Sequence, residues 1–179
     1  NCIAIANVIV DQPSQILVST SATLAARCYG ANNGQAEVTV NGGIPPYTYQ
    51  WLGHSDTDNV LDNVPAGIYS AVVTDAHGCT SVADAIVAEP SQVQINSTIT
   101  TTTCSNSNGA IDVLVNGGVG PYTYSWSSST TNHTTHLGSV MAGSYQVTVT
   151  DANLCTTTQS FVVADIAGPQ ASIAALQNV

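Results

Sequence analysis

The residues with the means to do chemistry are few. His133 and His136, spaced His-x-x-His, are the spacing of two imidazole ligands, but they sit in the loop SSSTTNHTTH (127–136) with no third ligand nearby in sequence. A solvated polar loop accounts for them, and for His54 in the matching earlier loop. Asp56-x-Asp58-x-x-x-Asp62 places three carboxylates within one short stretch, and Asp11, Glu89 and Asp165 recur between apolar runs. Several carboxylate oxygens together are what calcium takes. The stretch that matches Asp56 and Asp58 further along carries no acid, so the expectation is no cofactor, with calcium at Asp56, Asp58 and Asp62 the one metal to consider. Hydrolytic chemistry needs a nucleophile, a base and an orienting group in one constellation. No Gly-x-Ser-x-Gly or related frame occurs, and the chain is not expected to be an enzyme. Asn96-Ser-Thr and Asn132-His-Thr fit the glycan-acceptor pattern.

The elements that position these residues come in copies. NGGIPPYTYQW (41–51) returns as NGGVGPYTYSW (116–126), and PAGIYSAVVTDAHGC (65–79) as MAGSYQVTVTDANLC (141–155). A partial copy stands in front, where NCIAIANVIVDQPSQILV (1–18) aligns with GCTSVADAIVAEPSQVQI (78–95). An internal period of this length is the sign of a repeat architecture. Hydrophobic alternation within each copy has period two, in runs rich in Val, Ile, Thr and Tyr bounded by Gly, Pro, Asn and Asp. The first copy predicts strands near 15–25, 35–41, 47–52, 59–63, 67–74 and 80–88. Short strands at that spacing form a sandwich.

The conspicuous motif is therefore a scaffold. Asn41-Gly42-Gly43 turns the chain, and Pro46 or Pro121 starts the next strand. Trp51 and Trp126 are the large core rings, with Tyr47, Tyr122, Tyr69 and Tyr145 as structural aromatics. The stretch from Leu61 to Tyr69 has the form of a corner in which a tyrosine hydroxyl bonds back to upstream backbone.

Five cysteines fall into two classes in the aligned copies. Cys28 and Cys104 precede the second strand; Cys2, Cys79 and Cys155 open the last. Fixed places in each repeat read as a disulfide framework. Pairing within a repeat (Cys28–Cys79, Cys104–Cys155) is the favoured connectivity. Pairing across the linker (Cys2–Cys28, Cys79–Cys104) is the second. If the two classes lie at opposite ends of one domain, bonds to a neighbouring repeat or subunit are the third.

Composition narrows the partners. The 179 residues hold one basic residue, Arg27, against 11 acids, a net charge of −10. Phosphate backbones and anionic membrane surfaces call for a basic footprint, so neither nucleic acid nor a membrane is an expected partner. Surface polarity comes instead from Thr, Ser, Asn and Gln, as suits an extracellular protein.

The motif N/S-N-G-x-A-x-V-x-V-N-G-G-x-x-P-Y-x-Y-x-W followed by A-G-x-Y-x-V-x-V-T-D-A-x-x-C resembles the SprB-type repeats of cell-surface adhesins from gliding Bacteroidota. The resemblance implies a secreted, surface-displayed array of immunoglobulin-like domains, exported by a type IX system. Leu154 departs from the pattern where Gly78 keeps it. The expected fold is all-β: tandem immunoglobulin-like sandwiches at 14–89 and 90–166. An N-terminal orphan strand (1–13) precedes them and a tail (167–179) starts a further linker.

The expected function is a non-catalytic segment of a surface adhesin or extracellular filament whose partners are other copies of the repeat, with surface glycans second. The alternative is a subunit that polymerises by donating a strand, through Ile3, Ile5, Val8 and Val10. A carbohydrate-binding module is a weaker alternative, because most aromatics belong to the strand pattern.

Overall fold

In a computed structural model of the chain, residues 3–4, 7–129 and 132–169 are described. They form strands and no helix, and the chain divides into two compact units, Asn1–Glu89 and Pro90–Val179.

In the first unit the strands are β1 (Leu17–Leu24), β2 (Gly34–Asn41), β3 (Thr48–Trp51), β4 (Val60–Val64), β5 (Gly67–Thr74) and β6 (Thr80–Val87). One sheet has the order β1-β2-β4 and the other β3-β5-β6, every neighbouring pair antiparallel. The chain crosses between the two layers at β2–β3, β3–β4 and β4–β5, with hairpin pairs β1–β2 and β5–β6 at its ends, the arrangement of an immunoglobulin-like sandwich.

Period-two patterning explains the layers. On β2 Ala36 and Val38 face inward, and on β5 Tyr69, Ala71 and Val73 do. With Trp51, Leu61 and Val87 they make one core, in which Trp51 is 1% exposed. The Trp51 indole N–H donates to the Asp58 carbonyl (3.1 Å), so the ring is buried without stranding its polar atom.

The second unit repeats the plan with β7 (Gln94–Thr100), β9 (Gly109–Asn116) and β11 (His136–Val140) in one sheet. Its other sheet holds β10 (Thr123–Trp126), β12 (Gly143–Thr150) and β13 (Thr156–Val163). Two short strands, β8 (Thr102–Thr103) and β14 (Asp165–Ile166), pair in parallel beyond the sandwich edge. Ile111, Trp126, Val147, Val149 and Phe161 fill its core, and the Trp126 indole donates to Thr134 O at 3.0 Å.

Residues 7–16 belong to no strand. Ile3, Val8 and Val10 are at least four-fifths exposed, and Ile5 lies outside the described residues. Among the described residues of 1–13, where an orphan strand is expected, no strand is paired with an edge of this chain.

Candidate functional site: the two poles of each repeat

Each sandwich has two distinct poles, where the described cysteines, the glycine turns and several acids gather. At the upper pole, the Gly43 N–H donates to Ser14 O (3.0 Å) and the Gly118 N–H to Ser91 O (2.8 Å). The Asn-Gly-Gly turn of each copy is thereby clamped to the Pro-Ser-Gln segment that leads into the first strand. Gly42 and Gly117 are left-handed (φ 72° and 76°), and a Cβ on either would stand 2.2 Å from Gln15 O or 2.0 Å from Gln92 O. Only glycine meets both conditions. The Tyr47 and Tyr122 hydroxyls donate to Gly42 O and Gly117 O at 2.7 and 2.6 Å. These two tyrosines, half-buried at the core's rim, brace the turn.

The same pole holds a buried carboxylate in each copy. Asp75 accepts from the N–H groups of His77 and Cys79 (both 2.9 Å) and of Ile44 (3.1 Å). Asp151 accepts from Asn153 (2.8 Å), Cys155 (2.9 Å) and Val119 (3.0 Å). They are 7% and 4% exposed. The Cys79 N–H, with those of Ile44 and His77 and the nearby His77 ring, holds Asp75 below the ordinary carboxylate pKa against the opposing effect of burial. Burial works to raise Asp151, but the three N–H groups outweigh it and its pKa is also lowered. Nothing in the composition of these segments marks the aspartates as buried. The Asp-Ala pair shared by residues 75–76 and 151–152 was the available signal.

At the lower pole the two turns that carry Cys28 and Cys104 are fastened by acids that the sequence places between apolar runs. Glu89 Oε2 accepts from the Gly30 N–H at 2.6 Å. Asp165 accepts from the Ser105 N–H (3.1 Å), the Ser105 hydroxyl (3.1 Å) and the Thr102 hydroxyl (2.9 Å). The Ser105 N–H, then the Thr102 hydroxyl, depress the Asp165 pKa against burial, with the Ser105 hydroxyl adding to them. Cys104 and Ser105 both take left-handed φ, 52° and 57°.

The cysteines follow the poles. Cys28 and Cys155 are disulfide-bonded, whereas Cys79 and Cys104 are exposed free thiols; Cys2 lies outside the described residues. This corrects the pairing within each repeat and the Cys79–Cys104 bond of the pairing across the linker, whose other bond, Cys2–Cys28, involves a residue outside the described ones. The physical reason is the register. Thr80 pairs with Thr74 at the upper pole and Val87 with Gly67 at the lower, so the length of β6, about 23 Å at ~3.3 Å per residue, separates Cys79 from the Cys28 turn. The same span of β13 parts Cys104 from Cys155. A disulfide tolerates a Cα separation of roughly 7 Å at most.

The metal candidates do not assemble. Asp62 lies on β4 and accepts from the Gln35 amide, while Asp56 and Asp58 sit in the exposed loop before it. The His136 Nδ1 faces Asp112 at 2.7 Å, and the His133 Nδ1 meets Tyr124 O at 3.0 Å. His54 packs edge-on to the Tyr69 ring. No group of three or more His, Cys, Asp or Glu with metal-binding geometry occurs among the described residues. The Asn132 amide donates to His136 O and its oxygen accepts from Thr134, whereas Asn96 is exposed on the edge strand β7.

Fold and poles together define a tandem, immunoglobulin-like β-sandwich protein. The SprB repeat family matches residues 25–55 and 96–131, the stretch around β2–β3 and its counterpart. Each sandwich thus holds one segment that is similar to the SprB repeat.

Among solved structures it is similar to the C-terminal 282-residue fragment of intimin in complex with the translocated intimin receptor (16% identity, 86% of this chain and 64% of that one, TM-score 0.40). It is similar also to the fibronectin(III)-like modules of Clostridium thermocellum CbhA (13% identity, 83% and 95%, TM-score 0.33). A third is the eight N-terminal Ig domains of the Down Syndrome Cell Adhesion Molecule (13% identity, 87% and 24%, TM-score 0.33). The overlaps are loose, and the sandwich assignment rests on strand order and register. Comparison with curated proteins gives no match.

Proposed function

We propose that the chain is a non-catalytic structural segment of an extracellular adhesin or filament, a link in an end-to-end array of repeats. One observation carries this. In each repeat the chain enters at the upper pole, beside Ser14 or Ser91, and leaves at the lower, after Val87 or Val163. Entry and exit at opposite poles are what serial linkage requires. The SprB match and the disulfide state of Cys28 and Cys155 agree with a cell-surface, oxidising location, and export by a type IX system belongs to the same reading.

Electron microscopy of native extracellular material, paired with denaturing gels with and without reductant, tests it. Filaments or beaded rods of regular axial repeat are the expected result. A uniform population of short globular particles from that material would overturn the array. The gels separate covalent arrays, which stay very large under reduction, from assembled subunits, which fall to about the 18.3 kDa of this chain.

A second reading rests on the N-terminal stretch, whose Ile3, Val8, Ile9 and Val10 are exposed. An apolar, unpaired segment of that kind completes a neighbour's sheet by strand addition. Deleting residues 1–10 abolishes assembly if this is the joint, and leaves it intact otherwise. For glycan binding the support is thin, since Tyr29 is the one tyrosine more than half exposed among the described residues.

A further inference from the structure

We infer that Cys79 and Cys104 are the joining thiols of this chain, and that the Cys104 of one copy forms a disulfide with the Cys79 of the next, head to tail. This rests on the array reading and says what bonds its joints.

Four observations converge. Both residues are exposed thiols. They stand at opposite poles, Cys79 at the upper pole of the first repeat and Cys104 at the lower pole of the second. The positions that correspond to them, Cys155 and Cys28, are in the disulfide state, so each class of position is one where this fold makes a disulfide. And the span of a strand rules out a partner for either within its own repeat. In the proposed array serial repeats meet upper to lower, which makes a thiol at the upper pole complementary to one at the lower.

Each thiol also sits on fixed backbone. Asp75 holds the Cys79 N–H, and the Cys104 N–H donates to Ile166 O (3.1 Å) beside the Ser105–Asp165 clasp. An open cleft of about 400 Å³ next to Cys79, bounded by Gln12–Ile16 and by Asp75, His77, Thr80 and Ser81, gives the incoming turn of a second copy room to approach.

The bond forms by exchange with a disulfide oxidant. The Cys104 thiolate attacks the oxidant's S–S bond and releases one thiolate. The Cys79 thiolate then attacks the mixed disulfide and releases the second. One protein S–S bond is made, one oxidant S–S bond is broken, and the two protons leave with two oxidant thiols.

The test uses the full chain with oxidised glutathione as the oxidant, read on non-reducing gels. Expected is a ladder at multiples of 18.3 kDa that reductant collapses, with a Cys79–Cys104 linked peptide in a chymotrypsin digest. Cys79→Ser and Cys104→Ser each stop the ladder. Mixing the two variants yields dimer about tenfold faster than either alone, because docked poles raise the effective concentration of the complementary pair. Equal rates for the mixture and the single variants, or digests in which Cys79 and Cys104 are never linked, would overturn the proposal. Filaments seen without that link leave the array standing and remove only its covalent joint.

Discussion

Single residues can decide the stability of each repeat, and the tryptophan is the largest side chain in each core. Trp51→Ala or Trp126→Ala empties a ring-sized volume from a sealed core, at an expected cost of about 3–5 kcal/mol, while His54→Ala removes only an edge contact at the surface and costs under ~1 kcal/mol. Thermal melts of the three variants check the ranking. The buried aspartates add a pH dependence. The folded-state pKa of Asp151 lies below its ordinary value of 3.8, so its contribution is complete above that value and fades as pH falls through the folded-state pKa. Asp151→Asn therefore melts lower than the parent at pH 7, and the gap closes on acidification as the parent's carboxyl takes up its own proton. A gap that stays constant down to pH 2 would mean the carboxylate charge does not matter. These aspartates were not legible as core groups, because Asp-Ala-x-x before a strand has the composition of a solvated turn. Only the folded chain shows three backbone N–H groups converging on each.

At the scale of elements, the strands were largely open to reading. Six were expected in the first repeat near 15–25, 35–41, 47–52, 59–63, 67–74 and 80–88, and β1–β6 lie on them. Alternation writes the buried face directly into the chain, whereas pole-to-pole placement depends on how strands are ordered in sheets. That is why the Cys28–Cys79 pairing looked attractive in sequence and fails in space. The clamp of the Pro-Ser-Gln segments on the glycine turns is not legible in sequence, since it is made of backbone atoms alone. Gly117→Ala tests the clamp. Its Cβ would collide with Gln92 O, so the loss exceeds the ~1–2 kcal/mol of a left-handed alanine. Gly53→Ala, also left-handed (φ 83°) but with open space around it, shows the backbone penalty alone. Chemical denaturation of both variants gives the difference directly, and equal losses would mean the clamp is slack.

Across the whole molecule, charge is the dominant variable. With one arginine, no lysine and a net charge of −10, copies repel one another at neutral pH. Light scattering across a pH series is expected to show lateral association rising to a maximum near the isoelectric point of about 4.1 and dispersing above pH 6. An unchanged profile would mean charge does not limit association.

The opposite-pole layout has a further meaning once the chain is under tension. In the first repeat β1 and β6 run in the same direction, side by side where the Thr20 hydroxyl donates to Asp84 O. A pull delivered at Leu17 and Val87 acts along the strands and across the hydrogen bonds. The β1–β2 and β5–β6 ladders are then loaded in shear, all their bonds sharing the force at once, where a pull from one pole would peel them singly. The repeat is built to bear load lengthwise.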